Sequence, residues 1–241
     1  MAITNTGTDV NGVHSVQGTR YITKEMTVPA DAEILLVALV WNNPAEDVID
    51  VTWDGTTMTK IYATPQTGGS SDCAAEIWGI LNPDPTTGNV SGDWGSTPVN
   101  PCAILYARCY KGIDTTNLAT ATNNIDTDED LDGSNTISLA SGGSSGNLLI
   151  GLCGGVGDDM IPATNSEGWT EIAEIESGGG AGNNQDCSLY LVETVAPDSL
   201  TVTFGAIDEN CGLVIELVAA TVAPTNDGML MKMLHEGHLN G

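Results

Sequence analysis

Asp126-Thr127-Asp128-Glu129-Asp130-Leu131-Asp132-Gly133 is the stretch whose residue types and spacing come nearest to a known chemistry. Asp128, Asp130 and Asp132 take the first three ligand places of a calcium loop, and Gly133 takes the tight-turn place. Alternate spacing lets one loop wrap hard carboxylate oxygens around a single cation. The pattern ends on a bidentate Glu, and Leu139 stands there instead. The three aspartates are therefore candidate calcium ligands, and the competing description is a solvated acidic connector. Gly142-Gly143-Ser144-Ser145-Gly146 matches G-x-S-x-G. A nucleophile elbow must lead into a helix, whereas the run after it, Leu148–Leu152, is of β type. The three histidines, His14, His235 and His238, lie near the ends of the chain, so the motif reads as a Gly/Ser turn. His235-Glu236-Gly237-His238 is a weak metal signal, because two imidazoles in a tail make an incomplete ligand set. Asp158-Asp159 and Asp208-Glu209 are carboxylate pairs of the kind glycoside hydrolysis uses. With 32 acidic residues in the chain, such pairs arise by chance. No catalytic residue is singled out, and the expectation is a protein that is not an enzyme.

Trp41, Trp53, Trp78, Trp94 and Trp169 could stack against sugar rings, which keeps a carbohydrate-binding or adhesion module as the alternative function. Four of the five sit in or beside β-type runs, where core packing is the commoner role. The six cysteines are Cys73, Cys102, Cys109, Cys153, Cys187 and Cys211, with no close pair of the zinc-site type. Cys73 and Cys102 in the first part of the chain match Cys187 and Cys211 in the second. Matched placement suggests Cys73–Cys102 and Cys187–Cys211 as candidate disulfides, each closing a loop worth about 3 kcal/mol. Four reduced, buried thiols are the alternative.

The elements that would position these residues follow from one run and its echo. Glu33-Ile34-Leu35-Leu36-Val37-Ala38-Leu39-Val40-Trp41 is nearly unbroken apolar sequence, and Asn147-Leu148-Leu149-Ile150-Gly151-Leu152-Cys153-Gly154 repeats its character. Runs without alternation are expected of strands covered on both faces. Around each lie further matches in the same order: Met58–Ile61 with Trp169–Ile172, Cys73–Trp78 with Cys187–Val192, Val90–Gly95 with Leu200–Gly205, and Cys102–Cys109 with Cys211–Val218. Asp54-Gly55 between β-prone runs marks a hairpin. The expected fold is all-β, a jelly-roll-like sandwich built from two duplicated halves. Its parts are an N-terminal arm with the first strands over 1–32, a first β half over 33–113, an acidic Gly/Ser-rich connector over 114–146, a second β half over 147–223 and a tail over 224–241. Two-sided burial calls for interlocked halves or for a neighbouring subunit over the outer face, and we expect an interlocked sandwich within an oligomer.

The formal charge is −26, and no Lys or Arg occurs between Lys111 and Lys232. Phosphate backbones are bound by Lys and Arg, so nucleic acid is not an expected partner, and anionic membranes would repel the chain. No run reaches the ~20 apolar residues of a membrane-spanning helix. Met1–Gly7 lacks the basic and apolar regions of a secretory signal, although the composition suits an exposed setting. After Pro224, Leu230, Met233 and Leu234 have helical spacing, and with Met229 they form a candidate assembly contact.

Val51-Thr52-Trp53-Asp54-Gly55, Ile77-Trp78-Gly79-Ile80-Leu81-Asn82-Pro83, Gly88-Asn89-Val90 and Ala107–Asp114 together resemble β-sandwich proteins of tailed-phage virions and related bacterial surface modules. The resemblance covers roughly residues 33–220 and rests on structural turns. It implies a jelly-roll-like module used in capsid decoration, fibres or adhesion, and it carries over no catalytic residue. The expectation is thus a structural protein of a virion or extracellular surface, a decoration or minor capsid protein. Its partners would be itself or a capsid or filament protein, and its one candidate cofactor is calcium.

Overall fold

The computed structural model describes residues 2–14, 21–42, 48–65, 73–95, 102–130, 136–140, 142–157, 164–166, 168–177, 186–195, 199–205 and 209–221. The first half runs β1 (Thr4–His14), β2 (Tyr21–Thr27), β3 (Ile34–Asn42), β4 (Asp50–Trp53), β5 (Thr56–Thr57), β6 (Thr59–Ala63), β7 (Cys73–Leu81), β8 (Thr87–Asp93) and β9 (Ala103–Lys111). A one-turn helix, α1 (Leu118–Ala121), follows, capped by the Asn117 side chain accepting from the Thr120 N–H. The second half runs β10 (Thr122–Asp130), β11 (Thr136–Leu139), β12 (Leu148–Gly157), β13 (Thr164–Asn165), β14 (Thr170–Glu176), β15 (Asp186–Thr194), β16 (Leu200–Thr203) and β17 (Glu209–Leu217).

These strands form four antiparallel sheets. One inner sheet has the order β1-β9-β3-β7-β6, and the other has the order β10-β17-β12-β15-β14. The outer sheets are β2-β8-β4-β5 and β11-β16-β13. Replacing β1, β2, β3, β4, β6, β7, β8 and β9 by β10, β11, β12, β13, β14, β15, β16 and β17 turns one half into the other, with only β5 unmatched among the described strands. The duplication expected from the sequence is therefore present as topology. It also extends further back than expected. Residues 114–146 hold α1, β10 and β11, so this stretch supplies the opening strands of the second half rather than a connector.

Burial explains the order of layers. Every residue of β3 is buried. Ile34, Leu36, Ala38 and Val40 point to a core shared with Leu148, Ile150 and Leu152 of the other half. Leu35, Val37, Leu39 and Trp41 point the opposite way, toward Ile22, Val51, Trp53 and Val90 of the outer sheet. In the second half Leu149, Cys153 and Val192 do the same toward Ile137, Leu200 and Val202. The stack is outer sheet, inner sheet, inner sheet, outer sheet, with three apolar seams between. Each large aliphatic side chain moved into such a seam contributes about 1.5–3 kcal/mol. The halves do not interlock, since among the described residues no sheet takes strands from both. They stack, and the chain itself covers both faces of each spine strand, so spine burial calls for no second copy.

Asp54 (φ 45°) and Gly55 (φ 80°) form the left-handed pair of a two-residue hairpin between β4 and β5. The return run then splits: β5 stays in the outer sheet, Met58 is buried, and β6 crosses to the inner sheet. Gly154 of β12 faces the other inner sheet at close range, and a Cβ there would meet Val40 Cγ1 at 2.5 Å and Cys73 Sγ at 2.9 Å.

The expected disulfides are not those formed. Cys73 pairs across from Asn42 on one side of β3, and Cys102 accepts from the Asn42 N–H on the other. Two strand spacings, about 9.6 Å, separate them, beyond the ~7 Å limit for a disulfide. Cys187 and Cys211 are likewise held apart by β12. The bond present is Cys102–Cys187, with Cα atoms 5.8 Å apart, and it joins the two inner sheets. Its 85-residue separation makes the cross-link worth about 4.5 kcal/mol in chain entropy.

Candidate functional site

The seam between the halves ends in a cluster of polar groups. On β9, Tyr106, Arg108 and Tyr110 alternate and share the face turned to the second half. Arg108 reaches Asp9 of β1 at 3.6 Å and Glu193 of β15 at 3.7 Å, and its side chain is only 12% exposed. Tyr106 donates to Asp9 at 2.6 Å, and Tyr110 donates to Glu193 at 3.2 Å. The guanidinium also lies 5.3 Å from the centre of the Tyr110 ring. Burial opposes the Arg108 charge, but Tyr110, Glu193, Asp9 and Tyr106 more than offset it and raise its pKa. Burial raises the Tyr106 phenol first, and Asp9 raises it further. Burial also raises Tyr110, with Glu193 adding to it against the pull of Arg108. Both phenols therefore remain protonated donors near neutral pH, and neither can act as a base there. What the arrangement does is hold a carboxylate from each half on one cation.

The space beside this cluster, between Leu36, Tyr106, Arg108, Ile150 and Leu191, measures about 10 Å³, room for one water at most. A wider surface hollow of about 460 Å³ lies by Asp31, Glu33, Asn82 and Lys111. Its charged groups are already engaged: Lys111 donates to Asp31 at 2.7 Å, and Glu33 accepts from the Ile113 N–H at 2.7 Å.

The sequence-derived candidates fall as follows. Asp128 lies in β10, not in a loop, and accepts from the Ser138 N–H at 3.1 Å. Asp126 accepts from the Ala140 N–H at 2.6 Å. An extended strand spaces alternate carboxylates about 6.6 Å apart along one line, so these residues do not curl around a point. The Asp130 side chain, and Asp132 altogether, lie outside the described residues. Among the described residues no group of three or more His, Cys, Asp or Glu side chains is gathered as a metal site.

The Gly142–Gly146 turn serves a carboxylate. Glu216 of β17, 2% exposed, accepts from the Ser144 N–H, from Asn147 at 2.8 Å and from Asn123 at 2.7 Å. Burial works to raise its pKa, and the three donors more than reverse that, leaving the carboxyl below its usual range. Leu148 then begins β12, so the G-x-S-x-G match is a structural turn. The His14 side chain, His235, His238, Asp158, Asp159 and Asp208 lie outside the described residues.

All five tryptophans are buried, none more than 7% exposed, and Trp41 packs edge-on to Trp94 at 6.3 Å. They supply core volume and present no open ring face for stacking a sugar. Cys73 and Cys211 approach each other across the seam, while Cys102 is bonded to Cys187. Met229, Leu230, Met233 and Leu234 lie outside the described residues. Among the described residues no helix is long and apolar enough to cross a membrane.

Sequence reasoning missed the Arg108 cluster and the Glu216 cradle. For Arg108 a signal was present, because a cation inside the apolar run Ala103–Tyr110 needs a carboxylate partner. For Glu216, in Leu213-Val214-Ile215-Glu216-Leu217, the same reasoning fails, since its donors are amides that carry no charge signature. Comparison with known proteins finds no family model, curated protein or solved structure that matches the chain.

Proposed function

We propose that this protein is a non-enzymatic building block of an extracellular or virion assembly, in the role of a capsid decoration or minor capsid protein. The observation that carries this reading is the four-layer stack itself: its apolar side chains go into three internal seams, and its polar clusters bind one part of the chain to another. Such a block is suited to bearing load and display. The inter-half disulfide supports an oxidising or exposed setting. The charge of −26 favours the outside of a particle, away from a packaged genome. Within this reading the segment 224–241 docks onto a neighbouring copy or onto a capsid or filament protein through Met229, Leu230, Met233 and Leu234.

Imaging particles from the native source with labelled antibody against this chain tests the proposal. Periodic label over a particle or filament surface is the expected result, and label found only on free protein would refute it. A chain lacking 225–241 should fail to co-sediment with those particles while melting at the same temperature as the full chain.

A further inference from the structure

The duplicated topology turns one inter-half bond into a question about its counterpart. Cys102–Cys187 joins the start of β9 in the first half to β15 in the second. Under the strand exchange that relates the halves, β9 corresponds to β17 and β15 to β7. The counterpart bond must therefore run between β17 and β7, and each of those strands carries a cysteine facing the same seam: Cys211 and Cys73. Their Sγ atoms lie 2.6 Å apart, inside the contact distance of two unbonded sulfurs. Both side chains are buried, at 2% and 0% exposure. The remaining cysteines differ in kind. Cys109 and Cys153 lie in the two outer seams, on opposite sides of the stack, and among the described residues no second cysteine shares either seam, although Cys211 on the neighbouring strand is close enough to add to the rise that burial gives the Cys153 thiol pKa.

We propose that Cys73 and Cys211 form a second disulfide, so that the two halves are closed by a pair of cross-links that correspond under the strand exchange relating the halves. The proposal is independent of the assembly reading. In the step, a Cys73 or Cys211 thiolate attacks a small-molecule disulfide such as oxidised glutathione and releases one small thiol. The second cysteine then displaces the other small thiol from the mixed disulfide. One protein S–S bond forms, one small-molecule S–S bond is reduced to two thiols, and the two cysteine protons pass to those thiols. The exchange precedes closure of the seam, because the closed seam admits no such reagent.

The test is bond mapping on the full chain, first reduced and unfolded and then refolded in the presence of excess oxidised glutathione, so that exchange can occur before the seam closes. It is then unfolded in guanidinium with iodoacetamide present. Trypsin cannot separate the two bonds, because no Lys or Arg lies between Cys73 and Cys102 or between Cys187 and Cys211. Cleavage after acidic residues does, at Glu76 and Asp93 in the first interval and at Glu193 and Glu209 in the second. The expected result is alkylation of Cys109 and Cys153 alone, with a Cys73 peptide linked to a Cys211 peptide that separates on reduction. Alkylated Cys73 and Cys211, or either one linked elsewhere, would overturn the proposal. A C102S/C187S variant supplies a second readout: its Tm should still fall when reductant is added, and an unchanged Tm would count as refutation. If that variant does not fold, the wild-type map decides.

Discussion

The two halves have the same strand order and treat a buried carboxylate in different ways. In the first half Glu76 is fully buried on β7 and meets Lys60 Nζ at 2.5 Å, with Trp78 Nε1 donating at 2.7 Å. In the second half Glu216 is almost as buried and has no cation among the described residues. It is held by two asparagine amides and a backbone N–H. Asp126 and Asp128 follow the same rule, each bound by a backbone N–H of the 138–140 stretch. Five of the six basic residues precede Ile113, so the second half has little else to use. The one cation in contact with it among the described ion pairs is Arg108, which belongs to the first half. Neutral N–H donors thus suffice to hold carboxylates in place, and a sandwich can shed nearly all its positive charge without giving up its buried acids.

The contrast can be broken at its strongest point by Lys60→Met, which keeps the length of the side chain and removes the charge. Removing the cation beside the buried Glu76 should cost about 3 kcal/mol or more in urea unfolding. A loss under about 1 kcal/mol would show that the carboxylate is held without Lys60. Asn123→Ala in the second half should cost about 1.5 kcal/mol by the same measurement. Added salt should leave that loss unchanged, whereas it should shrink any ion-pair contribution in the first half.

Acid sharpens the comparison further. The Glu216 pKa in the folded chain lies below its reference value of 4.5. Its contribution to stability is therefore complete above that value and is lost as the pH falls through the lower folded one. Glu216→Gln cannot titrate. Its Tm deficit against wild type, read at about pH 5, 4 and 3, should narrow as acid is added. A constant deficit would mean that the cradle does not stabilise the ionised form. The smallest effect is expected at the exposed Asp31–Lys111 pair, where Asp31→Asn should leave the Tm unchanged within error.

The spines, the Asp54-Gly55 turn and the duplication could be read from the chain because each depends on local pattern or on internal matching. Strands β1 and β10 could not. Thr4–His14 and Thr122–Asp130 are polar along most of their length. Both lie at sheet edges, where one side is open and apolar alternation is not required. What places them is register against β9 and β17, a long-range property. The cysteine pairing was hidden for a related reason. Internal matching says which cysteines are alike, not which sheet each one faces, and the order β9-β3-β7 puts the like-numbered partners on opposite flanks of a spine. Asp128 lies in a strand because spacing of two, which the calcium pattern shares, is also the period of a strand.

Stacking the inner sheets has a cost during synthesis. When the ribosome has delivered the first half, the face bearing Ile34, Leu36, Val40, Ala75 and Ile77 has nothing to lie against. A nascent domain in that condition is a target for chaperones and for pairing with another unfinished copy. The first half should therefore be insoluble when expressed alone, and the complete chain should become protease-resistant only after β17, the final strand of the second inner sheet, has left the exit tunnel.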